Sequence, residues 1–177
     1  MKTDFHIHSS FCHGKEKSKD FIKEAMKLGF DAIGFSSHSP LPFSNPWTMK
    51  SKDLKNYYEE INSLKLKYKD LIQIYTGLEI DYFPVRYSNN NYHYQNYELD
   101  FIIGSIHFIQ YEDKYISIDG EENDYIRIIN DMFGGEVKSF VTYYYRLIRK
   151  MIEDINPEII GHIDLIKKNN VDDKFFS

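Results

Sequence analysis

The chain begins Met-Lys-Thr-Asp-Phe-His-Ile-His, which places His6 and His8 two residues apart in an alternating run. On a β-strand, residues i and i+2 leave the same face, so the two imidazoles point the same way. Two imidazoles on one face at a strand end can share a metal ion. A single His-x-His pair is just as readily a half-exposed strand pair. Further along the chain, however, come His13, His38, Glu79, His107 and His162, at or just after separate short apolar or β-branched runs. A repeated coincidence of metal-ligating residue types with strand ends argues for a site.

Strands must carry these residues, and helices must return the chain between them. Residues 3–8 alternate and read as a strand. Residues 15–28 have helical spacing, with Phe21, Ile22, Ala25, Met26 and Leu28 apolar, and Gly29 follows as a stop. Residues 31–36 read as a buried strand with His38 just beyond it. Pro40, Pro42 and Pro46 make an irregular loop that holds the only tryptophan, Trp47. Residues 52–69 form a second amphipathic helix, with Leu54, Tyr57, Tyr58, Ile61, Leu64 and Tyr68 toward the core. Residues 71–81 are the next strand and carry Glu79. Residues 88–97, rich in tyrosine and asparagine, read as a surface loop in which His93 is an exposed histidine. Residues 99–107 form a fourth strand ending in His107. Residues 115–118 suggest a small hairpin arm, 124–133 a short helix stopped by Gly134-Gly135, and 137–155 a long helix. After Pro157, residues 158–162 make a fifth strand-like run ending in His162.

Strands alternating with helices predict an α/β fold, a parallel sheet with right-handed crossovers. The polar residues fall at the carboxyl ends of the strands, the end that carries the active site in α/β barrels. Five strands are legible, where a closed α/β barrel wants seven or eight. With no repeat and no linker, residues 1–177 read as one domain.

The 177 residues suffice for one core, and 15 Tyr with 13 Phe favour a folded chain over a disordered one. The net charge of −5 comes from interspersed acidic and basic residues, so no basic patch supports nucleic-acid binding. A single cysteine, Cys12, excludes an internal disulfide framework and suits a reducing compartment. The N-terminus lacks the apolar stretch of a signal peptide, and no apolar run approaches the ~18 residues of a membrane span. The expectation is a cytoplasmic protein with no membrane partner.

Five motifs stand in order: Asp4-Phe5-His6-Ile7-His8 with Phe11-Cys12-His13-Gly14, Gly34-Phe35-Ser36-Ser37-His38, Thr76-Gly77-Leu78-Glu79-Ile80-Asp81, Ile103-Gly104-Ser105-Ile106-His107, and Ile160-Gly161-His162-Ile163-Asp164-Leu165. Together they resemble the PHP (polymerase and histidinol phosphatase) superfamily across essentially the whole chain. Tyr143-Tyr144 and the Gly-His-Ile-Asp-Leu-Ile-Lys run are most similar to its histidinol-phosphatase branch. The resemblance implies a distorted (β/α)7 barrel holding two or three divalent metal ions. His6, His8 and Glu79 would hold the first ion, and Glu79 would bridge to a second bound by His107 and His162. His13 and His38 would hold a third. Imidazole with carboxylate suits zinc, iron or manganese better than magnesium.

The implied reaction is hydrolysis of a small phosphorylated substrate, L-histidinol phosphate, in histidine biosynthesis. Glu79 and His107 would act through a metal-activated water, and the cations would offset charge on the phosphoryl oxygens. Asp4, Asp81 and Asp164 sit beside ligands and could orient an imidazole, or serve as caps or surface charge. Cys12 is read as passive. Among Arg86, Arg127, Arg146, Arg149, Lys167 and Lys168, the first choices for contacting phosphate are Lys167 and Lys168, which follow the His162 run.

The family pattern continues past Ser177 to a late Asp-x-His element, and Asp172-Asp173-Lys174 does not match it. The resemblance therefore implies an incomplete, open barrel, with three protein ligands for the first ion and two for the third. It also implies possible completion by another chain or by a missing C-terminal segment. Alternatives from the sequence are a PHP phosphoesterase for a different phosphomonoester, and an inactive fragment that binds metal without turnover.

Overall fold

Each histidine-bearing motif lies on or just beyond a short strand. The computed structural model describes residues 1–84, 94–170, 172 and 174–176. Five strands, β1 (Thr3–Ile7), β2 (Ala32–Phe35), β3 (Gln73–Asp81), β4 (Phe101–Ser105) and β7 (Ile159–Ile160), form a sheet in the order β1-β2-β3-β4-β7. This is the parallel five-stranded α/β arrangement expected for an incomplete PHP-type (β/α) barrel. Between the fourth and fifth strands of that sheet, β5 (Phe108–Tyr111) and β6 (Lys114–Ser117) make a separate antiparallel pair. Among the described residues the chain divides into two compact units, 1–80 with 94–103, and 81–84 with 104–176.

In the first unit, β2 pairs in parallel with both neighbours. Ile33 stands opposite Asp4 on one side and Ile74 on the other. All four residues of β2, Ala-Ile-Gly-Phe, are buried, as expected of a strand covered on both faces. Its crossovers are α1 (Ser18–Lys27) and α2 (Leu54–Tyr68). Helix α1 buries Ile22 and Ala25, whereas Leu28, one of the apolar residues read in this segment, is 53% exposed just past the helix end. Helix α2 buries Leu54, Tyr57, Ile61, Leu64 and Tyr68 at three- and four-residue intervals. Tyr57 is fully buried, and its hydroxyl lies 3.0 Å from the Phe35 carbonyl and 2.7 Å from that of Gly77. One side chain thus ties α2 to the strands that lead to His38 and Glu79.

Glycines on β2 and β3 make room for an aromatic ring. A Cβ on Gly34 would lie 2.8 Å from the Phe101 ring, and one on Gly77 would lie 2.5 Å from it. Phe5 meets the same ring edge-on, with centroids 5.6 Å apart. These contacts account for glycines inside strands, where they otherwise weaken the element.

In the second unit, α4 (Val137–Ile155) buries Phe140, Tyr144, Leu147, Ile148 and Met151 on one stripe. It ends at Asn156, which adopts the left-handed conformation at φ 50°, and Pro157 follows. The Gly161 N–H then donates to the Gly104 carbonyl at 2.9 Å, seating β7 beside β4. The expected hairpin arm is present as β6. Its partner β5 was not legible in sequence, because it follows His107 without a turn signal. The helix expected over 124–133 begins earlier, as α3 (Glu122–Arg127), and runs into a π-helical turn at Ile128–Met132. No helix among the described residues is long and apolar enough to cross a membrane.

Candidate metal centres

Glu79 anchors the first unit's cluster. Its side chain is 0% exposed, and one oxygen, Oε2, faces three imidazole nitrogens. His6 Nε2 lies 2.9 Å from it, His8 Nε2 3.2 Å and His38 Nδ1 3.2 Å. Parallel pairing brings this about. The β2–β3 register continues beyond β2 to an isolated bridge of His38 with Glu79, and the Ser39 N–H donates to the Glu79 carbonyl at 2.8 Å. On β1 the register with β2 is irregular between Asp4 and Ile7. There the His6 N–H is taken by Asp4 Oδ1 at 2.9 Å, so Asp4 satisfies a backbone donor at the irregularity.

His13 joins this cluster from the turn after β1. Its ring centroid is 4.7 Å from that of His8 and 5.1 Å from that of His38. The turn requires Gly14, since a Cβ there would sit 2.1 Å from the His8 carbonyl oxygen. Ser9 and Ser37 tie the ends of the two strands together through their hydroxyls, 3.2 Å apart. The proline-rich loop covers His38. Trp47 meets its ring edge-on at 4.6 Å, and the Met49 N–H donates to the His38 carbonyl at 3.2 Å.

Cys12 is not a bystander. Its sulfur lies 3.6 Å from His8 Nδ1, on the side of the ring opposite Glu79. Burial works against a charged His8, but the hydrogen bonds and charges of Cys12 and Glu79 outweigh it and hold the imidazole up at about 9. The Cys12 thiol is in turn pulled below its ordinary value. Burial opposes that shift, and hydrogen bonding to His8 and Ser37 prevails.

Two groups in this unit have the make-up of a cation site: His6, His8 and Glu79, and His8, His13 and His38. Within each group the ligand atoms all lie within 4.8 Å of one another. The spacing fits. Ligands held ~2.0–2.1 Å from one ion at roughly 90–110° stand about 2.9–3.4 Å apart, the range of the Glu79 contacts. His8 stands with His13 and His38 as well as with His6, so the third set has three candidate ligands where two were expected.

The second unit gathers His107 and His162. Their Nε2 atoms are 3.1 Å apart and their ring centroids 4.7 Å. Asp81 and His107 are both 3% exposed. Asp81 Oδ1 accepts the His107 backbone N–H at 3.0 Å and lies 2.9 Å from His107 Nδ1. Asp81 is two residues beyond Glu79 on β3, so one strand contributes to both clusters.

The cationic side chains are dispersed. Lys168 pairs with the Asp119 carboxylate and donates to its carbonyl at 2.8 Å, while Lys167 is exposed. Arg127 pairs with Asp124 at 3.6 Å, and Arg146 and Arg149 are exposed on α4. Asp164 is exposed, ahead of the short turn Leu165–Lys167. Arg86 and His93 lie outside the described residues. Sequence reasoning missed the roles of Cys12 and Trp47. The available signals were a thiol four residues after His8 and an aromatic in the loop leaving His38.

A model of the PHP domain family matches residues 4–176, both units included. The chain belongs to the PHP-domain family. Among curated PHP relatives it is 33% identical to the histidinol-phosphatase of Bacillus subtilis, over 95% of this chain and 68% of that protein. It is 26% identical to a probable histidinol-phosphatase of Deinococcus radiodurans, over 93% of this chain and 61% of that protein. A crystal structure from Listeria monocytogenes, assigned as a histidinol phosphatase, superposes with a TM-score of 0.80 at 26% identity, covering 94% of this chain and 68% of that one. The histidinol phosphate phosphatase of Lactococcus lactis, crystallised with zinc, L-histidinol and phosphate, gives a TM-score of 0.62 at 24% identity. It covers 94% of this chain and 59% of that one, and shares the fold. The chain thus spans about six- to seven-tenths of the length of these PHP proteins.

Proposed function

We propose that this chain is a divalent-metal-dependent phosphomonoesterase acting on L-histidinol phosphate, in histidine biosynthesis. The observation that carries the reading is the single buried Glu79 oxygen ringed by three imidazole nitrogens at 2.9–3.2 Å. Unpaired, a carboxylate so deeply buried would be expensive, and such nitrogen and oxygen donors suit zinc, iron or manganese. The names borne by its relatives supply the substrate.

His6, His8 and Glu79 would hold one cation, with His13 and His38 beside His8 as a further ligand set. His107 and His162 would be the ligands in the second unit. When bound, such cations supply a water acidic enough to attack near neutral pH and charge to offset the phosphoryl oxygens. The chain's own part is positional. Glu79, itself fully buried, brings negative charge to the base of the histidine cluster. Cys12 and Asp81 each engage the Nδ1 of one imidazole and leave its Nε2 facing the cluster. Lys167 and Lys168 are the proposed phosphate contacts, Lys168 by exchanging Asp119. Residues 1–177 act as one PHP domain in this reading, and the lone thiol supports a reducing, cytoplasmic setting.

The test is phosphate release by the purified chain, stripped of metal and reloaded with zinc, manganese or iron, from L-histidinol phosphate and a panel of other small phosphomonoesters. The expected result is metal-dependent release with L-histidinol phosphate as the best substrate. A different best substrate would overturn the substrate assignment, and metal uptake with no release from any ester would overturn the activity.

A further inference from the structure

We propose that Asp81 is the positioning residue of the second cluster, fixing the His107 imidazole with its proton on Nδ1 and its Nε2 lone pair toward His162, and thereby setting the affinity of that pair for a divalent cation. The inference rests on the metal reading above, and its own basis is the double hold of one oxygen. Asp81 Oδ1 takes both the His107 backbone N–H, at 3.0 Å, and the same residue's Nδ1, at 2.9 Å. A carboxylate only accepts, so the proton between them belongs to the imidazole Nδ1. Fixing backbone and ring through one atom leaves the side chain little freedom. The backbone is held from the other side as well, where the His107 carbonyl accepts the Ile118 N–H at 2.9 Å. Both partners are almost fully buried, so water does not compete for these bonds.

With Nδ1 protonated, a neutral His107 presents an unprotonated Nε2 whose lone pair faces His162. That atom stands 3.1 Å from His162 Nε2, a separation at which two nitrogens can ligate one ion. Hydrogen bonding to the carboxylate also raises the basicity of the ligating nitrogen. Loss of such a partner typically costs about 10–100-fold in metal affinity. Asp81 touches neither substrate nor reacting atoms in this role. It acts through His107.

The test is residue-specific nitrogen NMR on the full chain labelled with 15N-histidine, metal-free and then titrated with zinc alone, at a pH where His107 is neutral. Wild type should show a protonated Nδ1 and a bare Nε2 at His107, and the Nε2 signal should shift as zinc binds. Asp81→Asn keeps an oxygen acceptor but loses the charge, so it should retain the tautomer and need about tenfold more zinc. Asp81→Ala should lose the tautomer preference and need about 100-fold more. A proton on Nε2 in wild type would overturn the positioning role and leave the metal reading standing, and it requires no variant to fold. No zinc response at His107 in wild type would overturn the metal reading of this cluster, and the affinity claim with it. Variants that titrate like wild type would overturn the affinity claim alone.

Discussion

At the scale of single residues, the chemistry of the first cluster turns on how Glu79 and the imidazole nitrogens share protons and cations. His8 is the clearest case. In the metal-free chain it is held up at about 9, so near neutral pH a cation must displace a proton to reach Nε2. The sign follows directly: lowering the pH protonates His8 and weakens binding, and raising it strengthens binding until the imidazole is already neutral. Zinc affinity, measured against a competing chelator, should rise by about tenfold per pH unit below 9 and level off above it. A flat profile between pH 6 and 9 would show that His8 carries no proton for the cation to displace in that range, against the raised value. Gly14 supplies a second prediction. An added Cβ would collide with the His8 carbonyl, so Gly14→Ala must shift the turn that carries His13. Zinc uptake by the first cluster should fall with far-ultraviolet circular dichroism unchanged, because the affected turn lies outside any helix or strand. Glu79, His8 and His38 were legible in sequence as ligand types at strand ends. The Cys12–His8 contact was not, because a thiol four residues along a chain reaches back only if the turn between folds tightly.

At the scale of elements, strands and helices were legible where hydrophobic period and stop signals agreed. Helix α4 is the plainest example, with its bounds at Val137 and Ile155 read to the residue and Pro157 just beyond its end. Strand β7 was read longer than it is, since periodicity cannot say where pairing stops. Strand β5 was hidden because its apolar run continues directly from the motif ending in His107. The interior glycines carry the element-scale prediction. Gly77→Ala, on β3 two residues before Glu79, would press a methyl group into the ring of Phe101 on β4. Overpacking of this kind costs about 1–3 kcal/mol, which should appear as a lower denaturation midpoint with little change in slope. Tyr57→Phe acts through hydrogen bonding instead of packing. It leaves the Phe35 and Gly77 carbonyls without their buried donor, at a cost of about 1–3 kcal/mol, and the packing of the ring is kept. A neutral Tyr57→Phe in urea unfolding would show that the hydroxyl does not tie α2 to the strands.

At the scale of the whole molecule, the order of the five motifs was legible from end to end, because each is short, local and bounded by its own strand signal. Its division into two compact units was not, since β3 and β4 each contribute residues to both and no linker marks a boundary. Histidines and carboxylates gathered for a cation should make the folded state depend on it. Zinc at 100 times its dissociation constant should stabilise the chain by about 2.7 kcal/mol, visible as a raised melting temperature that a chelator reverses. The central claim, that Glu79 and its histidines hold a divalent cation, is tested most directly by counting metal. The measurement is divalent metal per chain by elemental analysis, for wild type and Glu79→Gln purified side by side and dialysed against the same zinc buffer. Glu79→Gln keeps the side chain's shape and removes its charge. The account predicts that wild type retains bound metal and that Glu79→Gln loses it from this cluster. Wild type without metal, or Glu79→Gln with the full wild-type complement, would contradict it.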